Sequence, residues 1–315
     1  MIIKIILIPL MLFSYSLRCL PLRWLGKLGH GLGTLLRCVG FRTRIVENNL
    51  KLALGREKSA EELSKLQKQI YTHIGTLFLE IARNFTLPRQ DYIDELQVSD
   101  EDLAKIDKIK AEGRGMLVIS AHTGNWEIFP ASMAARDYSV AIVAKKMSNP
   151  VSQNLIEQRR VTAGFSVIYT GNTLQKIAES MAGGCFVGCM VDQHLPGPRG
   201  LRVNFFGTPA ASIRGLANLA RDTKCRVVPM SVYRQENGVH RLIVMDELQY
   251  IEAKELPEGS PERLLREEWL NTQKYQECLE SMIRQNLPQW LWIHRRWKAS
   301  RSPLNLATAH REQNI

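Results

Sequence analysis

His122 and Glu127 stand at either end of the run His122-Thr123-Gly124-Asn125-Trp126-Glu127. An imidazole titrates near neutrality and can take a proton from a hydroxyl at physiological pH. A carboxylate brought back to it by the intervening turn would hold one ring tautomer and stabilise the imidazolium that forms. This is the base-and-orienter part of a hydrolytic triad with the nucleophile left out. The nucleophile would then be an alcohol on the substrate. Among the seven histidines only His122 has an acid at this spacing. A helix-capping loop with a hydrogen-bonded histidine would look the same, so the pair alone is a weak signal.

The elements that must position the pair are legible around it. Met116–Ile119 is a short apolar run suited to a buried strand. His122 would stand just past its carboxyl end and Glu127 in the first turn of the next helix, the crevice where open α/β sheets bind ligands. Upstream, Thr43–Leu54 reads as a helix ending at a C′ Gly55, and Ser59–Glu62 as a capping box. Leu63, Leu66, Ile70, Ile74, Leu77 and Ile81 then recur at helical spacing, a core-packing stripe, and 94–112 is a charged connection with a short helix. Downstream, the pattern predicts helix 126–136, strand 140–145, a helix from Pro150 to about Gly164, strand 166–169, helix 173–183 and strand 185–191. A helix at about 212–221, strands 226–232 and 239–245, and helix 261–286 follow. Such alternation argues for a single α/β domain with a largely parallel central sheet flanked by helices. The domain is expected over 36–303, after an N-terminal segment 1–35 and before a disordered tail 304–315.

A second block, VDQHLPGPRGLRVNFFGTPAAS (Val191–Ser212), begins with Asp192 directly after an apolar strand. If the two strands are parallel, Asp192 and His122 emerge at the same edge. The irregular loop after it carries Leu195, Leu201, Val203, Phe205 and Phe206, so it either folds back on the core or lines a channel for a long apolar ligand. His194 lacks an acidic partner at fixed spacing and reads as a loop histidine.

The net charge of +11 is unevenly spread: residues 1–58 carry ten Lys/Arg against Glu47 and Glu57, and Arg284–Arg301 carries five basic residues and no acid. Two basic faces of this kind suit an anionic partner. The six cysteines show neither C-x-x-C nor zinc-type spacing and are expected as core thiols, with no metal. Ile5–Leu17 is almost wholly apolar, broken early by Pro9, and Arg18, Arg23, Trp24 and Lys27 follow. No small-x-small cleavage site follows it, so the expectation is a membrane anchor, spanning or interfacial, with Trp24 at headgroup level and the basic residues on the cytoplasmic side.

SAHTGNWE, the Asp192–Ser212 block and LPQWLWIHRRWK (Leu287–Lys298) occur in the order found in the bacterial late acyltransferases of lipid A biosynthesis, the lauroyl/myristoyl acyltransferase family, which the chain resembles over nearly its whole length. The His-x4-Glu pair is shared with glycerolipid acyltransferases, which usually carry Asp. Their Phe-Pro-Glu-Gly block is absent here.

The resemblance implies a glycerolipid-acyltransferase-like fold and transfer of a fatty acyl group from acyl carrier protein to a hydroxyl of an anionic, acylated disaccharide lipid. The place would be the cytoplasmic face of the inner membrane, with no resident cofactor beyond the acyl-thioester co-substrate. His122 and Glu127 would be the catalytic pair; Asn125, Arg159 (in preference to Arg160), Asp192 and Gln193 match other polar positions of the family's site. Arg159 or the main-chain N–H groups of Thr123–Trp126 are candidate oxyanion donors. Arg159-Arg160, Arg199/Arg202 and Arg295-Arg296-Lys298 suit the lipid's phosphates. One rival is a related acyltransferase with another phospholipid or glycolipid acceptor. The other is a non-catalytic basic protein binding lipid or nucleic acid, and nucleic acid is disfavoured because Phe205 and Phe206 have few basic neighbours.

Overall fold

Every residue of the strand Met116–Ser120 is buried, as expected of five apolar or small residues covered on both faces. The computed structural model describes residues 2–298, and side chains from residue 9 onward. Before that strand come α1 (Ile2–Arg18), α2 (Leu22–Cys38), α3 (Thr43–Leu54), α4 (Ala60–Arg83), α5 (Arg89–Asp94), β1 (Leu96–Gln97) and α6 (Asp100–Ala111). The strand itself is β2. Then follow α7 (Ile128–Ala135), β3 (Val140–Ala144), α8 (Pro150–Thr162), β4 (Ser166–Tyr169), α9 (Thr173–Ala182) and β5 (Phe186–Met190). The rest is β6 (Gly200–Phe205), β7 (Thr208–Ile213), α10 (Gly215–Thr223), β8 (Arg226–Arg234), β9 (His240–Val244) and α11 (Pro261–Gln285).

Seven strands form one sheet in the order β1-β9-β8-β2-β5-β3-β4. β9 runs antiparallel to β8, and the other neighbours are parallel. One face, with Leu117, Ile119 and Val187, packs on α10, α11 and the α3–α4 pair. The other, with Met116, Val118 and Phe186, packs on α5, α6 and α7. After β5 the chain crosses to the far side of β2, so the loops that leave β2 and β5 diverge and open a crevice at their carboxyl ends. The expected mixed α/β, mostly parallel architecture is therefore present, and most elements fall within two or three residues of their expected ends.

Four expectations need correction. The helix expected from about Ser212 starts at Gly215, because 200–213 is the antiparallel hairpin β6–β7. Leu201, Val203, Phe205 and Phe206 are buried, with Phe205 and Phe206 against Trp290, so the stretch folds back on the core. The Ser59–Glu62 capping box forms, but Gly55 keeps a right-handed φ of −66° and so is no left-handed cap. Helix α1 continues past Pro9. The cysteines are free, yet Cys19 and Cys38 are exposed and not in the core.

The boundary expected after residue 35 falls inside α2. That helix lies backbone-to-backbone on α4: a β-carbon at Gly29 would stand 2.1 Å from Thr76 Oγ1, and one at Gly33 2.0 Å from the Tyr71 carbonyl oxygen. Only glycine permits that approach of α2 to α4. α1 docks through Ser14, whose hydroxyl donates to the Arg83 carbonyl at 2.9 Å, while Met11, Leu12, Phe13 and Tyr15 remain exposed. Among the described residues no helix is long and apolar enough to cross a membrane. The expected tail 304–315 lies outside the described residues.

Candidate active site

β2 and β5 are parallel, with Ser120 opposite Met190, so two residues further on His122 and Asp192 leave the sheet side by side. The Nδ1–H of His122 donates to Asp192 Oδ1 at 2.8 Å. The other carboxylate oxygen accepts from the His122 main-chain N–H at 3.0 Å and from Trp290 Nε1 at 2.8 Å. Asp192 is fully buried. Burial alone would raise its pKa, but the facing His122 imidazole, with His294 and the His122 main-chain N–H, holds it well below the ordinary carboxylate value. Burial would depress the His122 pKa. The charge and hydrogen bond of Asp192, with a smaller contribution from Glu127, overcome that and raise it above the ordinary histidine value.

The expected hydrogen bond from Glu127 to the imidazole is not formed: the carboxylate bonded to the His122 ring is that of Asp192, seventy residues away. Glu127 instead receives Arg159 Nη1 at 2.9 Å on one oxygen and Arg160 Nη2 at 2.7 Å on the other. Burial would raise the Glu127 pKa, and the two guanidinium groups lower it below the usual value.

The turn between the pair is clamped by the chain's last described segment. The Gly124 N–H donates to the Gln289 carbonyl at 3.0 Å, the Leu291 N–H to the His122 carbonyl at 3.0 Å, and Thr123 bridges to Trp290. Gly124 has φ +53°, and a β-carbon there would meet the Val232 carbonyl oxygen at 2.3 Å, so the turn requires glycine. The LPQWLWIHRRWK block thus acts on the site through Trp290, a residue that spacing around His122 could not reveal.

His122, Trp126, Glu127, Lys145, Arg160 and Gln193 surround the mouth of a cavity of about 300 Å³. It extends between the sheet and α7, past Val118, Met133, Ile142 and Phe186 among others, and is apolar below the mouth. The Trp126 ring meets the imidazole edge-on, with centroids 4.8 Å apart. Gln193 Nε2 lies 3.5 Å from His122 Nε2. The amide is the donor of that long contact, so Nε2 is the acceptor nitrogen of the ring, beside the cavity.

The remaining expected site residues divide. Arg160, not Arg159, lines the cavity; Arg159 is buried behind it and lies over the Phe85 ring. Asn125 is buried in the turn away from the cavity lining, its Oδ1 without a partner among the described residues. Arg296 is fully buried, donating to the carbonyls of Gln193 and Ala211, to Ser212 Oγ and to Gln276 Oε1. It props the Asp192–Gln193 segment and is unavailable to a lipid phosphate. Burial also lowers its pKa to about 10. Arg295, by contrast, is exposed and shares a shallow groove with Arg44, Lys51 and Lys298. The side chains of Lys145 and Trp126 also line the cavity; from sequence Trp126 offers only its main-chain N–H as a candidate, and Lys145 carries no spacing signal.

The profile of the bacterial lipid A biosynthesis acyltransferases matches residues 4–299, nearly the whole chain. No curated protein matches it.

Proposed function

The chain belongs to the bacterial lipid A biosynthesis acyltransferase family and is an acyltransferase, and from that premise we propose that His122 is the general base for acyl transfer from acyl carrier protein to a hydroxyl of a lipid A precursor. The observation that carries this reading is the His122 Nδ1–Asp192 contact at the mouth of an apolar cavity. With Nδ1–H engaged, Nε2 is the ring's acceptor, and the acceptor hydroxyl would take the place of the long Gln193 amide contact there. An aliphatic hydroxyl is a poor nucleophile near neutrality, and a positioned base contributes roughly 10²–10⁴-fold.

The acceptor hydroxyl attacks the thioester carbonyl as its proton passes to Nε2. The oxyanion of the tetrahedral adduct collapses, the carbon–sulfur bond breaks, and the imidazolium returns its proton to the leaving thiolate. Asp192 stabilises the imidazolium throughout, without itself taking the proton. The amides of Thr123 and Gly124 are engaged by Ala121 and Gln289, so the main-chain oxyanion candidates narrow to Asn125 and Trp126, with Arg160 the side-chain candidate in place of Arg159. Glu127 acts by holding Arg160 at the mouth. Metal ligation enters at no point of this scheme.

The acyl chain occupies the apolar cavity. Lys145, Arg160 and the exposed Arg199 and Arg295 suit the phosphates of the acceptor and the acidic carrier protein. The exposed Met11, Leu12, Phe13, Trp24, Leu28 and Leu35 of α1 and α2, with the basic residues interleaved among them, support an interfacial anchor on the cytoplasmic face of the inner membrane. Incubating the purified protein with labelled acyl carrier protein and a panel of lipid acceptors tests the reading. Label in a lipid A precursor supports it; label confined to a glycerophospholipid or another glycolipid favours the related acceptor, and label in none rejects acyl transfer by this site.

A further inference from the structure

We propose that Gly188, in the middle of β5, sets how long an acyl chain the cavity accepts. The inference rests on the reading of this cavity as the acyl site and adds to it a residue that decides specificity.

The cavity floor is laid in rows across β2, β5 and β3. Parallel register puts Met116, Phe186 and Val140 in the row furthest from His122, Val118, Gly188 and Ile142 in the next, and Ser120 with Met190 nearest the mouth. All of them line the cavity. Each row has a side chain at every position except one. Gly188 lacks it in the central strand, with hydrogen-bonded neighbours on both sides, and yet is not fully buried. Glycine weakens a strand interior, and its presence there marks a place where something else approaches the backbone. The missing side chain leaves a notch in the middle row, between Val118 and Ile142 below the Phe129 and Met133 side of α7, through which the cavity reaches the last row.

The space above Gly188 is open to a substituent. A β-carbon there would meet Ile142 Cγ2 at 3.6 Å and the Ala141 carbonyl oxygen at 3.7 Å, both ordinary contacts. Anything larger would project along the cavity and close off the row beneath. Two strand residues span about 7 Å. An extended chain advances about 1.2 Å per bond, so closing the last row removes room for roughly four to six carbons.

The test measures binding of straight-chain fatty acids of graded length to the full chain and to Gly188→Ala, Gly188→Val and Gly188→Leu, with thermal unfolding of each. In the unsubstituted protein, affinity rises about four-fold per buried methylene until the chain meets the floor. The series shortens that limit progressively, by four to six carbons for Leu, while the shortest acids bind as before. If Leu does not fold, Ala and Val carry the comparison. An unchanged limit across the folded variants, or an equal loss of binding at every length, overturns the role of Gly188. The same lengths presented as acyl thioesters should show the same displaced limit in acyl transfer. A limit that moves in binding but not in transfer keeps Gly188 as the gate of the cavity and overturns instead the assignment of that cavity to the acyl donor.

Discussion

His122 and Asp192, each two residues past the end of one of two paired parallel strands, are joined by a 2.8 Å hydrogen bond, which ties the proposed base to a carboxylate that follows a different strand. A group held this way cannot drift with the turn between His122 and Glu127. The Asp192 carboxylate is itself fixed by Trp290 and by the main chain of His122.

Asp192→Asn keeps the shape of the site and removes the charge. Wild-type kcat/KM should rise with pH on a limb displaced above the ordinary histidine value of about 6.5, because Asp192 raises the His122 pKa. In the variant, burial acts without that charge, so the limb should move to lower pH while the maximal rate falls by roughly 10²–10⁴-fold. A pH–rate profile of both proteins measures it.

Glu127→Gln should act first on stability. Removing one partner of a buried ion pair costs about 3–5 kcal/mol, and here two guanidinium groups would lose theirs. The Glu127 pKa is lower in the folded protein than in the unfolded chain. Its contribution is therefore present above the unfolded value of about 4.3 and is lost as pH falls through the folded one. Urea unfolding between pH 3 and 7 should show a steeper acid loss for wild type than for the variant.

Arg295 and Arg296 are neighbours with opposite environments. Arg296→Met should cost several kcal/mol, on the order of 3, because it strips the buried carbonyls of Gln193 and Ala211 of their donor. Arg295→Ala, at an exposed position, should stay within about 0.5 kcal/mol of wild type. Denaturant midpoints of the two variants separate these outcomes.

The exposed apolar side chains of α1 and α2 should carry membrane binding. Replacing Phe13, Trp24 and Leu35 together by serine should weaken partition to vesicles containing anionic lipid by at least about ten-fold, since each such side chain is worth about 1.5–3 kcal/mol when withdrawn from water. Co-sedimentation with vesicles measures the change; equal partition would remove α1 and α2 as the contact.

Strand periodicity and turn chemistry made most of the fold legible, because β2, β3, β4 and β5 are short apolar runs bounded by breakers. The hairpin β6–β7 was hidden by Pro196, Gly197, Pro198 and Gly200, which read as loop although the residues beyond them alternate into the core. At the site, the rule that both polar groups follow parallel strands placed Asp192 beside His122, whereas sequence proximity pointed to Glu127, which bonds Arg159 and Arg160 instead of the ring. Spacing counts residues along one chain segment; the register of β2 against β5 is a property of the sheet. Arg296 was misread for a related reason: a guanidinium in a basic run looks solvated until the elements that bury it are in place.

The central claim is that His122 Nε2 takes the acceptor's proton. Single-turnover acyl transfer by His122→Ala, compared with wild type at matched fatty-acid binding and thermal stability, tests it most directly. A loss of at least roughly 10²–10⁴-fold in the chemical step is expected; turnover close to wild type in a folded, ligand-binding variant would exclude His122 as the base.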